Sequence, residues 1–159
     1  MQGVDKCDKE VILTSSIFHD CGYMANRNES HAILGKRIFL NYAKENNLDK
    51  EFSEKVAYMI EYHSNKELLQ KGNIPVELII LMEADLLDEE GALGIVFDIL
   101  VEGTKSPTSF NGVLPEISGH SAHILNQDYM KTPIAKKIWN EKKNLVEKFV
   151  FELKRDLFI

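Results

Sequence analysis

The chain has 159 residues, 44% of them hydrophobic and 28% charged, which suits one domain with a sizeable core and excludes disordered or collagen-like structure. Nineteen Lys and Arg against twenty-five Asp and Glu leave a net charge of −6, the wrong sign for a domain that holds nucleic acid by general attraction to phosphate. No apolar stretch approaches the roughly 20 residues of a membrane span, and the amino-terminal residues are too polar for a signal peptide. Cys7 and Cys21 lack zinc or redox spacing, so reduced thiols in a cytoplasmic protein are expected.

Nine Gly and four Pro are few for this length, alternating β-branched runs are absent, and apolar residues recur at three and four positions, so nearly every element reads as helix. A first helix is predicted from about Asp8 to about Asp20, stopping near Gly22 and followed by a polar loop, Ala25 to Glu29. Ser30 is a candidate cap for a second helix with Ile33, Leu34, Ile38 and Tyr42 as its inward stripe, broken at Asn46-Asn47. Asp49 then caps a third, with Phe52, Val56, Met59, Ile60 and His63 on one face. After Lys71-Gly72-Asn73, Pro75 suits the first turn of a fourth helix carrying Val76, Ile79, Ile80 and Leu87, continued by a segment from Gly91 to Val101.

From Glu102 to Pro115 the composition turns to Gly, Ser, Thr, Pro and Asn, marking the one long loop and a candidate flexible cover. A short helix follows from about Pro115 to Gln127. Thr132-Pro133 opens a last helix towards Leu153, with Ile134, Ile138, Trp139, Leu145, Phe149 and Val150 for packing. Without repeat or linker, the expectation is an all-α, single-domain compact bundle of about six or seven helices.

Five histidines limit where imidazole chemistry can sit: His19, His31, His63, His120 and His123. His19 and Asp20 close an apolar helix and run into Cys21-Gly22-Tyr23, which places imidazole and carboxylate at a helix end beside a loop, where both can reach one metal ion. Asp85 ends a nearly continuous apolar run, Leu78 to Met82 with Glu83-Ala84 between. A carboxylate there needs a cation or several hydrogen bonds to offset desolvation. Carboxylate ligands favour manganese or magnesium, imidazole favours iron, zinc, nickel or cobalt, and the residue types leave that choice open. His120 and His123 read as surface histidines, Asp88 equally as a helix-terminus or surface acid and as a functional group, and Met59, Tyr62 and Trp139 as core. The pairs Lys136-Lys137 and Lys142-Lys143 read as the solvated face of the last helix.

In this order and spacing the residues resemble the HD-domain metal-dependent phosphohydrolases. Ile17-Phe18-His19-Asp20-Cys21-Gly22-Tyr23 is similar to the paired His-Asp signature, His31-Ala-Ile-Leu-Gly35 to the helix start that follows it, and Tyr58-Met-Ile-Glu-Tyr-His63 to the next helix. Glu83-Ala-Asp85-Leu-Leu-Asp88-Glu-Glu-Gly-Ala-Leu-Gly94 is similar to the family's last ligand segment. The stretch from Met130 through Trp139 to Lys143 looks like the final helix of small stand-alone bacterial members. The resemblance implies His19, Asp20 and Asp85 as metal ligands. It implies Asp20, His31 and His63 as catalytic groups, the two histidines serving as phosphate contacts, proton donors or ligands of a second metal.

Members of the family carry another metal-binding His on a helix roughly thirty residues before the pair, whereas eighteen residues precede His19 here and none is His. Two expectations follow, that the native start lies upstream of Met1 or that this ligand and part of the metal affinity are lost. Apolar surface that the missing helix would cover could then be buried in a homodimer. The leading functional expectation is hydrolysis of a phosphoester of a nucleotide or other phosphorylated small metabolite by metal-activated water, with Lys36, Arg37 and Lys66 as the nearest cations for phosphate. The alternatives are a degenerate ligand-sensing or protein-binding module without catalysis, and a di-iron oxygenase of the same fold.

Overall fold

Asp8 caps the first helix with its carboxylate: Oδ1 accepts from the Val11 amide at 3.2 Å, and the Asp8 amide itself donates to Glu77 at 3.0 Å. The structure is a computed structural model that describes residues 7–25 and 29–158. Asn26, Arg27 and Asn28 of the predicted polar loop lie outside the described residues. The architecture is all helical, with no strand among the described residues, and none of its helices is long and apolar enough to cross a membrane. The chain divides into two compact units, 1–82 and 83–159.

The first unit contains α1 (Lys9–Phe18), a 3-10 turn (Cys21–Met24), α2 (His31–Glu45), α3 (Lys50–Tyr62), the short α4 (Glu67–Lys71) and the first half of α5 (Val76–Glu89). α1, α2 and α3 pack against one another, and the 3-10 turn lies on α2. Asp49 caps α3 by accepting from the Phe52 amide at 2.9 Å, as its sequence position predicts. Ser30 occupies the cap position of α2 but makes no capping side-chain bond.

The inward stripe of α2 also differs from the expected one. Ile33 and Tyr42 are exposed, and the buried line is Ala32, Leu34, Gly35, Phe39 and Ala43. The reason is close approach. The bare Cα of Gly35 lies where an added Cβ would sit 3.1 Å from both the His19 carbonyl oxygen and Ile60, so α2 is rotated to put its glycine at the end of α1. Phe18 then packs edge-on against Phe39 with ring centroids 5.2 Å apart.

The second unit takes the rest of α5, then α6 (Ala92–Gly103), α7 (Phe110–Gly119), α8 (Ser121–Leu125) and α9 (Pro133–Asp156), with α7, α8 and α9 in mutual contact and α6 packed on all three. Its elements are joined through buried acids. Glu83 accepts from the Thr132 amide at 2.8 Å and the Thr132 hydroxyl at 2.7 Å, fixing the start of α9. Buried Glu102 accepts from the Ser109 amide at 3.1 Å and pairs with Lys105 at 3.2 Å. The segment predicted as a long flexible cover is therefore held at its foot, and helix resumes at Phe110, five residues before the expected start at Pro115, because Ser109 caps it through the Gly112 amide.

On α9 the expected core positions Ile134, Ile138 and Leu145 are exposed, and Ala135, Trp139 and Val146 are buried instead. Lys142, expected on the solvated face, turns in to donate to the Glu90 carbonyl at 2.9 Å.

Glu90 is 2% exposed and its Oε2 makes no hydrogen bond among the described residues. Burial, opposed by His120 and aided by Asp98, lifts its carboxyl from 4.5 to about 7. A carboxyl raised in the folded state binds more protons folded than unfolded, so stability falls as pH rises from about 4.5 to about 7 and is level above that. Glu90→Gln removes the linked proton. Its unfolding free energy in urea should match the parent near pH 4.5 and exceed it by up to about 3 kcal/mol at pH 8.

Candidate metal centre

Helix ends place three of the site residues. His19 is the C-cap of α1 and Asp20 the next residue, so imidazole and carboxylate leave the helix as the backbone stops repeating. His63 is the C-cap of α3. His31 is the first residue of α2. Gly22 allows these ends to meet: a Cβ on it would fall 1.9 Å from the His31 carbonyl oxygen and 2.8 Å from the Gly35 amide nitrogen. The turn after His19-Asp20 therefore lies directly on the start of α2, and only glycine fits there.

Both helix-end imidazoles are oriented by their own backbone. His19 Nδ1 lies 2.9 Å from the Ser16 carbonyl oxygen and His63 Nδ1 lies 2.7 Å from that of Ile60. A ring nitrogen facing a carbonyl oxygen must carry the proton, so in the neutral rings each Nε2 keeps its lone pair for a cation. These Nε2 atoms converge on Asp20. His19 Nε2 is 3.4 Å from Oδ2, and His63 Nε2 is 3.4 Å from Oδ1. One ligand atom from each of His19, Asp20 and His63 lies within 4.8 Å of the other two.

His31 joins the same group. Its Nε2 is 3.2 Å from His63 Nε2 and 3.6 Å from Asp20 Oδ1, and its ring stacks on Tyr23 with centroids 4.1 Å apart and planes 9° from parallel. The four residues differ in access: the His63 side chain is 2% exposed and that of Asp20 is 45% exposed. The carboxylate thus opens to solvent on one side while the histidine behind it is sealed. Two imidazole Nε2 atoms converging on a carboxylate suit a divalent first-row cation, so the residues present fit such a metal.

A model of the HD domain matches residues 1–90. The chain belongs to the HD domain family. Its members form a superfamily of metal-dependent hydrolases, and the His-Asp-His group of this HD domain has the donor set that binding a divalent metal requires. No curated protein and no solved structure matches the chain.

Of the positions read from the sequence, His19, Asp20, His31 and His63 are brought together. Asp85 is half-buried on α5, in the second unit. Lys36 and Arg37, expected near phosphate, are engaged in ion pairs with Glu61 at 2.8 Å and Glu29 at 2.9 Å. His120 is exposed, as expected, and its Nδ1 lies 2.8 Å from buried Asp98, which also accepts from Ser121 at 2.7 Å. The sequence reading missed Tyr23 as the support of His31, although its place three residues after the His-Asp pair was in view, because stacking across a turn leaves no periodic mark.

Tyr23→Leu should leave helicity intact and release the His31 ring. Measured by isothermal titration with manganese, the change should be smaller than that for His63→Ala, which removes a sealed imidazole from the group and should weaken binding by about tenfold or more.

Proposed function

We propose that this HD-domain protein is a metal-dependent phosphohydrolase that cleaves a phosphoester of a nucleotide or other phosphorylated small metabolite. The observation that carries this reading is the convergence of His19, Asp20 and His63 on one point with both imidazoles pre-set by backbone carbonyls. Nε2 of His19, Nε2 of His63 and the Asp20 carboxylate would hold the cation, and the resemblance adds Asp85 as a further carboxylate ligand. When bound, a divalent cation lowers the pKa of coordinated water and neutralises charge developing on phosphoryl oxygens.

The remaining work falls to the chain's own side chains. The outer face of Asp20 accepts a hydrogen bond from the attacking water and orients it. His31, braced against Tyr23, presents Nε2 to the substrate and donates a proton to the leaving oxygen. Buried His63 holds its position without a solvent shell to lose. The reading places the protein in the cytoplasm, where free thiols such as those of Cys7 and Cys21 persist.

The test is a screen of nucleotides and sugar phosphates with manganese, magnesium, iron, zinc, nickel or cobalt added to protein stripped of metal. Phosphate release that requires metal supports the proposal. Metal binding without release from any substrate would favour a ligand-sensing module, and oxygen uptake on iron loading would favour a di-iron oxygenase.

Asp20→Asn should lower kcat by at least about a hundredfold while circular dichroism stays unchanged, since a carboxylate at a helix end contributes little to the core. Asp85→Asn should lower metal content in elemental analysis. Full occupancy in that variant would remove Asp85 from the ligand set.

A further inference from the structure

α9 carries a buried donor that the fold leaves unused. Trp139, the single tryptophan of the chain, is 4% exposed, and its indole N–H has no hydrogen-bond acceptor among the described residues. A buried indole ordinarily bonds through that group, because a desolvated donor without an acceptor is costly. The same residue forms part of the wall of a cavity of about 240 Å³ between the end of α8 and α9. Leu125 and Met130, each 2% exposed, give the cavity an apolar floor. Lys136 and Lys143 line it as well. They stand three positions before and four after Trp139, so all three share one face of α9. Asp128 is the one carboxylate among the lining residues, and its side chain is 85% exposed and paired with Lys131 at 3.8 Å.

We infer that this cavity binds a small organic carboxylate, with its anionic head against Lys136, Lys143 and the indole N–H and its apolar body on Leu125 and Met130. Charge and the unused donor select the class. The chain as a whole carries a net charge of −6, yet here two ammonium groups and a spare N–H line one cavity, a set of donors without a matching acceptor. The ion pair of Lys143 with Glu147 is long, 3.9 Å, and open to solvent, so it competes weakly for that ammonium. Size and floor narrow the choice further. The volume lies below the roughly 300–1,000 Å³ of pockets that take drug-sized ligands, so the occupant is small. A bare inorganic anion would leave Leu125 and Met130 uncovered, whereas a carboxylate with an aromatic or aliphatic body covers them. The cavity shares no residue with the His-Asp-His group and lies outside the stretch that the HD-domain model matches, so its occupancy does not depend on the proposed hydrolase activity.

Indole fluorescence of the full chain tests this with benzoate as the probe, since Trp139 is the sole source of that emission. Emission should change saturably, with a Kd on the order of 1 mM or tighter. Benzamide, which keeps the shape without the charge, should bind at least about tenfold more weakly, and inorganic phosphate should leave the emission unchanged. Lys136→Gln combined with Lys143→Gln should weaken benzoate binding by about tenfold or more. Lys148→Gln should not, because Lys148 is exposed nine positions from Trp139 and therefore on the opposite face of α9. Trp139→Phe keeps a ring and removes the N–H, and isothermal titration should show a loss of similar size. Four results would overturn the inference: no saturable change in the parent, equal binding of benzamide or phosphate, benzoate binding kept in the double lysine variant or in Trp139→Phe, or a loss with Lys148→Gln as large as that of the double variant.

Discussion

The candidate metal centre depends on a bond that each helix-end histidine makes to its own backbone. An α-helix leaves its last carbonyls unpaired, and His19 and His63 use this by directing Nδ1 to a carbonyl three residues earlier. One bond does three things at once: it satisfies an orphan acceptor, selects the tautomer, and aims Nε2 away from the helix. A free histidine side chain samples several rotamers and two tautomers, and the cost of choosing one would fall on metal binding. Here it is met during folding, by the same helix ends that bring the residues to one place. The Gly22 contact with the start of α2 brings His31 within reach, so the site is assembled by backbone geometry more than by side-chain packing.

The second unit solves a different problem with related means. It buries four acids, Glu83, Glu90, Asp98 and Glu102, in a chain whose acids already outnumber its bases. Three of them have two or more partners each among amides, hydroxyls, a histidine and the Lys105 ammonium, which offsets most of the desolvation that burial imposes. Glu90 has less support, and its carboxyl is the one pushed up to about 7. These bonds also decide which way α6 faces. A helix that turns acids inward to bond must turn its apolar residues outward, so the exposure of Leu93, Val96, Phe97 and Leu100 follows from polar satisfaction.

The HD-domain membership places the chain in a superfamily of metal-dependent hydrolases, and the donor set of the first unit suits a divalent metal. The donors are two imidazoles and a carboxylate, one side is open, and the supporting contacts come from Ser16, Ile60 and Tyr23. Lys36 and Arg37 are paired with Glu61 and Glu29.

Helical periodicity, the cap Asp49, the Thr132-Pro133 start and the scarcity of Gly and Pro were enough to establish an all-α chain and most helix boundaries, because these signals act within one turn. The ordered set His19-Asp20, His31 and His63 was legible too, since side-chain type and order along the chain do not depend on packing. Tertiary structure alone decided helix rotation. Ile33, Tyr42, Ile134 and Ile138 face out, and Gly35, Asp98 and Glu102 face in, because a close backbone approach or a buried hydrogen bond outweighs the burial of one aliphatic side chain. It alone decided that Glu102 would pin the segment after α6 and that Tyr23 would carry His31. Such contacts join residues many positions apart or across an irregular turn, where no spacing rule reaches.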